Sequence, residues 1–386
     1  MQLPIYMDCH ATTPVDPRVL EKMLPFFCEH FGNASSRTHS FGWVAEEAVD
    51  TARQQVASLL GAASREVVFT AGATESLHIA LHGIAAARKQ QGRHIITTNI
   101  EHKAVLETLE LLRQDGCEIT HVPVSPDGVV AVEDVEKAMR PDTILLAVMA
   151  ANNEIGTLQP LKQLGQLARR REVTFLVDAA QAIGKIPLSV DDCAIDLLTL
   201  SAHKLYGPKG VGGLYVRRRV RLAIADAGGG QERGLRAGTL NVPGIVGLGA
   251  ACEIAAAEMP EESQRVGALR NTLLHGLESR LEDITINGSM EKRLAGNLNV
   301  SFSGVQGESL LMQLNDIAVS PGAACDSANS EPSHVLRALG VSDDLARSSI
   351  RFGLGRFNTA EEVDYVVDKV VDAVTRLRKV SPLYEA

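Results

Sequence analysis

Short apolar runs alternate with helically spaced segments through the first two thirds of the chain, and this alternation limits the possible folds more than any other feature. Strands are expected at 66–70, 94–98, 118–123, 143–149, 174–178, 196–200 and 213–217. Several are continuously apolar, as in TILLAVM and TFLVD, the pattern of strands buried on both faces. Between them lie helical segments such as 44–60, where Val44, Ala48, Ala52, Val56 and Leu59 recur at helical spacing. The reading is an α/β fold, a mostly parallel sheet with helices on both faces.

Beyond Asn241 the texture changes. A long helical region from about 244 to 285 precedes strand-like LNVSFSG, a helix opening at GESLLMQL, and a final amphipathic helix with Thr359 as its cap. These pieces suit a smaller mixed domain, and 320–332 reads as a loop. A length of 386 residues fits two packed domains. Apolar residues at 45% and charged residues at 22% fit a soluble globular protein. The balance of 38 basic against 47 acidic residues gives -9 and argues against a broad nucleic-acid footprint. Neither a membrane-length apolar run nor a secretory start is found, so no membrane association and a cytoplasmic location are expected.

The six cysteines, at 9, 28, 117, 193, 252 and 325, show no CxxC or clustered spacing, so no metal site and no disulfide framework are expected. Cys193 and Cys252 sit among apolar residues and read as core. Cys325 sits in SPGAACDSANS, which offers little core to fill, and is a candidate for chemistry.

Asp178 ends the run TFLVD, and carboxyl ends of parallel strands are where ligands bind. Capping of the next helix is the ordinary alternative. Ser201, His203 and Lys204 follow another strand in LLTLSAHKLYGPKG. A lysine in such a crevice suits a Schiff base with an aldehyde cofactor. If that cofactor is pyridoxal phosphate, Asp178 would keep its pyridine nitrogen protonated. The turn AGATE at 71–75 directs backbone donors at Ala73 and Thr74, with the Thr74 hydroxyl, toward a phosphate. It is neither a Walker loop nor a GxGxxG fingerprint. His102 follows the strand at 94–98 and is placed either to stack on a cofactor ring or to cap a helix. Asn152, Asn153 and Glu154 follow a further strand, with an amide available to a ring hydroxyl and capping again the plain alternative.

With FGNASSRTHSFG, FTAGATES, EHKAV, NNEIG, VDAAQAIGK, SAHKLYGPKG, GGGQERGLRAGT, GAACDSA and SSIRFGLGRF in this order, the chain resembles the cysteine desulfurases that supply sulfur for iron–sulfur clusters, among the class V, fold type I pyridoxal-phosphate enzymes. The resemblance spans nearly the whole chain. It implies a homodimer with a large seven-stranded cofactor domain over 16–259 and a small α+β domain from 1–15 together with 260–386. It implies conversion of L-cysteine to L-alanine, with sulfur passing to an enzyme cysteine and then to an acceptor such as an iron–sulfur scaffold protein. By the same resemblance, Lys204 binds the cofactor and moves protons, Asp178 pairs with the pyridinium and His102 stacks on the ring. Gln181 and Asn153 contact the ring hydroxyl region. Ala73, Thr74, Ser201 and His203 hold the phosphate, and Thr239 reaches the partner subunit's phosphate. Arg351, assisted by Asn33, holds the substrate carboxylate, and Cys325 is the nucleophile that becomes a persulfide. The chain departs from the family pattern at His10, where HATTP replaces SATTP, at His78, and at Pro321 and Asp326 beside Cys325. Asp326 opposes thiolate formation at Cys325 unless a helix end or a nearby cation compensates. The competing readings are a related lyase or aminotransferase, a selenocysteine lyase, and a non-catalytic partner-binding protein.

Overall fold

The computed structural model describes residues 2–223, 228–321 and 332–381. Cys325 and Asp326 lie outside the described residues.

Thirteen strands are found among the described residues: β1 Ile5–Tyr6, β2 Val67–Thr70, β3 His94–Thr98, β4 Glu118–Val122, β5 Thr143–Met149, β6 Thr174–Asp178, β7 Leu197–Ser201, β8 Gly212–Val216, β9 Ile284–Ile286, β10 Asn297–Phe302, β11 Ile317–Ala318, β12 Ser320–Pro321 and β13 Ser349–Gly353. The seven strands expected from the apolar runs all form, shifted by no more than a residue at their ends. They make one sheet in the order β2-β8-β7-β6-β5-β3-β4. Within it β8 pairs antiparallel with both β2 and β7, and the remaining pairs are parallel. Every strand of this sheet except β8 therefore runs the same way, and the carboxyl ends of β2, β3, β5, β6 and β7 share one edge.

Alternate residues of the buried strands feed opposite layers. Phe175 and Val177 join one core with Leu146, Val148 and Leu198. Leu176 joins the other with Leu145, Leu197 and Leu214. A third core unites both chain ends, packing Ile5 and Met7 with Val300, Phe302, Phe352 and Val370. There β12, β13, β10 and β9 form a four-stranded sheet. Expected as loop, Ser320 and Pro321 instead pair with Arg351 and Ile350; edge pairing fixes residues that carry no period of their own. Thr359 caps the last helix, Ala360–Val380, in a capping box with Glu362.

The helix read from Val44 begins four residues earlier, at Ser40, and is capped by His39. Its core face is Ala45, Val49, Ala52, Val56 and Leu60, while Val44 is exposed. The stripe beginning at Val44 is offset from the true face by about one residue, because the opposite side of the first turn carries apolar Phe41, Trp43 and Val44 outward. The helix Val242–Glu278 is long and apolar enough to cross a membrane by composition, yet much of it is buried against the helix Ser40–Leu60 and the rest of the core.

Close approach of β8 to the turn after β2 requires a residue without a side chain. A Cβ on Gly212 would lie 2.5 Å from the Leu200 carbonyl oxygen and 2.7 Å from Gly72 Cα, and backbone cannot rotate aside. Gly212→Ala should therefore cost about 1–3 kcal/mol, read as a lowered urea midpoint. Gly213→Ala, whose Cβ would meet its neighbours at an ordinary 3.6 Å, should cost much less. Equal losses would reject this account.

Candidate active site

β2, β3, β5, β6 and β7 each deliver side chains to one cleft, at or within five residues of their carboxyl ends. After β2 come Ala73 and Thr74, after β3 His102, after β5 Asn153, and after β7 His203 and Lys204, with Asp178 and Ser201 as the last residues of β6 and β7. These residues, with Gln181 and Arg351, line a single cavity of about 860 Å³. Sequence reasoning thus named ten residues that the fold brings together. Asn33 and Thr239 are not brought there within this chain. Both are exposed, and the Asn33 Oδ1 accepts from Ser35 N at 2.9 Å.

At one end of the cavity the helix Ala73–Ala87 begins directly after β2, with Gly72 at its N-cap and no side-chain capping bond. Its first-turn amides point outward as donors. Ser201 stands beside this turn, its Oγ 3.8 Å from the position of a Gly72 Cβ. His203 Nδ1 meets Thr12 Oγ1 at 3.1 Å. Burial, reinforced by Lys204, Lys209 and Lys185, pushes His203 down to about 4, so it is neutral near pH 7. This donor set fits a phosphate.

Asp178 holds one carboxylate oxygen in place through the Ala180 amide at 3.0 Å and Thr199 Oγ1 at 3.2 Å. Its other oxygen accepts no hydrogen bond among the described residues, so a protonated ring nitrogen would find an oriented acceptor. Lys204 Nζ donates to the carbonyls of His10 at 2.5 Å and Ala11 at 2.7 Å. His102 caps the helix Lys103–Gln114, its Nδ1 accepting from Ala104 N at 3.1 Å, and it also lines the cavity. Accepting there leaves Nδ1 unprotonated, so neutral His102 carries its proton on Nε2. Asn152 is structural, its Oδ1 accepting from the Glu154 and Ile155 amides.

Arg351, on β13, is 1% exposed. Its Nη2 pairs with Asp8 Oδ1 at 2.7 Å and its Nη1 donates to the Asn153 carbonyl at 3.1 Å, while Nε is buried and has no hydrogen-bond partner among the described residues. A guanidinium so fixed presents a cation for a ligand carboxylate.

No residue pattern in the sequence points to a role for the segment 8–13. Asp8 orients Arg351, and the His10 carbonyl accepts from both Lys204 and Gln181 Nε2, the latter at 2.8 Å. The replacement of Ser by His in HATTP drew attention to this place, but main-chain acceptors leave no mark in a sequence. His78 also lines the cavity.

Two carboxyl groups brace the loops behind the cleft. Burial raises Glu101 to about 8 and Glu154 to about 7. Glu101 Oε1 accepts from Thr98 Oγ1 at 2.6 Å and Met149 N at 3.1 Å, and Glu154 accepts from Ser333 Oγ. Raised carboxyl groups favour the folded state fully below their unfolded value, and this contribution is lost as pH rises toward their folded values. Glu101→Gln removes one such charge. Relative to the parent, its urea midpoint should rise between pH 5 and pH 8; an unchanged difference would refute the assignment.

An α/β sheet that gathers an aspartate, a lysine and a buried arginine at its strand ends defines an enzyme acting on a small bound molecule. The chain belongs to the Aminotransferase class-V family, which matches residues 5–366. It is 56% identical to "Cysteine desulfurase IscS" of Anaeromyxobacter dehalogenans (strain 2CP-C), over 100% of this chain and 96% of that protein. It is 52% identical to "Cysteine desulfurase" of Homo sapiens, over 99% of this chain and 84% of that one. Among solved structures it is similar to "NIFS-LIKE PROTEIN", with a TM-score of 0.91 and 42% identity over 97% of this chain and 100% of that one. It is also similar to "SspA in complex with cysteine", with a TM-score of 0.81 and 37% identity over 92% and 100%.

Proposed function

We propose that this protein is a pyridoxal-phosphate-dependent cysteine desulfurase that converts L-cysteine to L-alanine and passes sulfur through Cys325 to an acceptor protein. The observation that carries this reading is the convergence of Lys204, Asp178, the phosphate-type donors and Arg351 on one cavity. Relatives named cysteine desulfurase, matched over the full chain, support it, as does the neighbour described in complex with cysteine. The name IscS supports delivery to an iron–sulfur scaffold.

Pyridoxal phosphate, when bound, supplies an electron sink for bond breaking at the substrate's carbon skeleton. Its phosphate is held by the amides at Ala73 and Thr74 with Ser201 and His203, its ring nitrogen by Asp178, and its aldehyde by Lys204. His102 and Asn153 bound the ring. Arg351 takes the substrate carboxylate, which sets the rotation of the amino acid about its own axis. Lys204 then carries protons within the cleft, its position fixed by the segment 8–13. The Cys325 thiolate attacks the substrate sulfur, so that an S–S bond forms as the Cβ–S bond breaks. A proton delivered to that carbon completes alanine, and the outer persulfide sulfur leaves with a thiol of the acceptor.

Two further observations support a homodimer. One chain leaves Leu24, Phe27, Phe31, Phe41 and Trp43 about half exposed, and Phe31 and Phe41 stack at 5.3 Å. Such a patch marks an interaction surface. Thr239, exposed on its own chain, then serves the partner's phosphate site in a closed pair.

Borohydride reduction of the purified protein should fix the cofactor on Lys204; its recovery on Lys209 would overturn the assignment. Cys325→Ser should retain the cofactor yet lose about a hundredfold or more of alanine formation. Mass analysis after brief exposure to cysteine should find persulfide on Cys325 in the parent, and normal turnover by the serine variant would eliminate this residue as nucleophile. Sedimentation should show a dimer, and a fully active monomer would reject the shared site.

A further inference from the structure

Gln181 is buried and lines the cofactor cavity, and both ends of its amide are engaged. Its Nε2 donates to the His10 carbonyl at 2.8 Å, and its Oε1 accepts from Lys185 Nζ at 3.1 Å. A carbonyl oxygen only accepts, and Lys185, which burial lowers to about 8, is near pH 7 an ammonium that only donates, so the orientation of this amide is forced from both sides. The oxygen must face Lys185 and the nitrogen must face the cleft side. The second N–H of that nitrogen is then the group Gln181 can offer to a ligand.

Lys185 itself does not reach the cleft. It lines a separate cavity of about 40 Å³, together with Cys9, His10, Tyr206 and Glu262. The two cavities share His10. Lys185 makes no contact within the cleft, so its hydrogen-bonding influence on a bound cofactor passes through Gln181, the cleft residue it bonds.

We propose that Lys185 is a positioning residue, which locks Gln181 as a hydrogen-bond donor and so makes the cleft selective for a ring oxygen in its ionised, acceptor form. The inference rests on the pyridoxal-phosphate reading above. Without Lys185 only the His10 carbonyl holds the donor orientation, so the amide turns over more readily and its oxygen, when presented, repels an ionised ring oxygen. With Lys185 in place that alternative would set a carbonyl dipole against the bound phenolate and an N–H₂ group against an ammonium. Both contacts are unfavourable, so the donor orientation is held before any ligand arrives.

The test uses full-length protein loaded with pyridoxal phosphate. Binding of the cofactor by the parent is measured first, and failure there would reject the cofactor reading rather than the role of Lys185. In Lys185→Met the long-wavelength absorption band, which reports the ionised ring oxygen, should lose intensity to a shorter-wavelength band. Retention of the cofactor in equilibrium dialysis should weaken about tenfold. Lys185→Arg keeps a cationic donor and should restore both. In a Gln181→Met background, Lys185→Met should add less than about a twofold further effect, since the two residues act as one unit. Should Lys185→Met not fold, Lys185→Leu, which also removes the donor, is read by the same measurements. Parent-like absorption and retention in the folded variant, or an undiminished effect of Lys185→Met in the Gln181→Met background, would overturn the proposal.

Discussion

A guanidinium that is 1% exposed is costly to hold without a carboxylate, and the closure of this molecule over its cleft depends on how Arg351 meets that need. Its partner, Asp8, comes from the opposite end of the sequence, 2.7 Å away. Its second contact, the Asn153 carbonyl, comes from the loop after β5. Asp8 is itself anchored, because its other oxygen accepts from Ser320 Oγ at 2.9 Å and its carbonyl accepts from the Tyr6 hydroxyl at 3.1 Å. One buried charge therefore joins the start of the chain, the edge of the large sheet and the four-stranded sheet. The same arginine is the cation that faces the ligand. Packing of the chain ends and recognition of a carboxylate are thus one requirement rather than two.

The strap that follows Asp8 extends this dependence to the lysine. Thr13 bonds the His203 carbonyl through both its amide and its hydroxyl, at 2.9 and 3.0 Å, and Tyr206 N returns a bond to the Thr13 hydroxyl at 2.8 Å. Lys204 lies inside this clasp. Cations crowd the region, with Lys204, Lys185, Lys209 and Arg351 all close enough to lower the protonation of the histidines among them. That excess of positive potential suits two anions, a phosphate at the helix start and a carboxylate at Arg351. Neutral His203 fits the same scheme, since a further buried cation there would meet three lysines.

The sequence shows the strand ends plainly because burial on both faces leaves continuous apolar runs, and a charged residue such as Asp178 at the end of TFLVD stands out against them. Lys204 was legible for the same reason, following LLTLS. What the sequence hides is of two kinds. Main-chain acceptors such as the His10 and Ala11 carbonyls have no residue signature, so the segment 8–13 carried no expected role. Long-range ion pairs such as Asp8 with Arg351 depend on a fold that brings positions 343 residues apart together. The helix from Ser40 shows a third limit. Its apolar residues extend round to Phe41, Trp43 and Val44, so periodicity alone did not separate the core stripe from the exposed patch. Residues meant for a second chain, as Thr239 is proposed to be, look idle in one.

The substitution at position 10 follows from the same division between main chain and side chain. What the cleft needs from residue 10 is its carbonyl oxygen, which receives Lys204 and Gln181 whatever the side chain is. The imidazole is buried, and neither ring nitrogen is hydrogen-bonded among the described residues, a loss of about 1–3 kcal/mol for an unsatisfied polar group. Burial, with Lys185, Arg351, Lys204 and Arg293 nearby, drives its pKa well below the ordinary histidine value, so the ring stays uncharged. A neutral ring adds no cation to a region already rich in them and takes no proton from Lys204. A serine or a histidine can therefore occupy this place with the lysine's acceptor unchanged. A residue that kept a positive charge there would repel Lys204 and Arg351 at once.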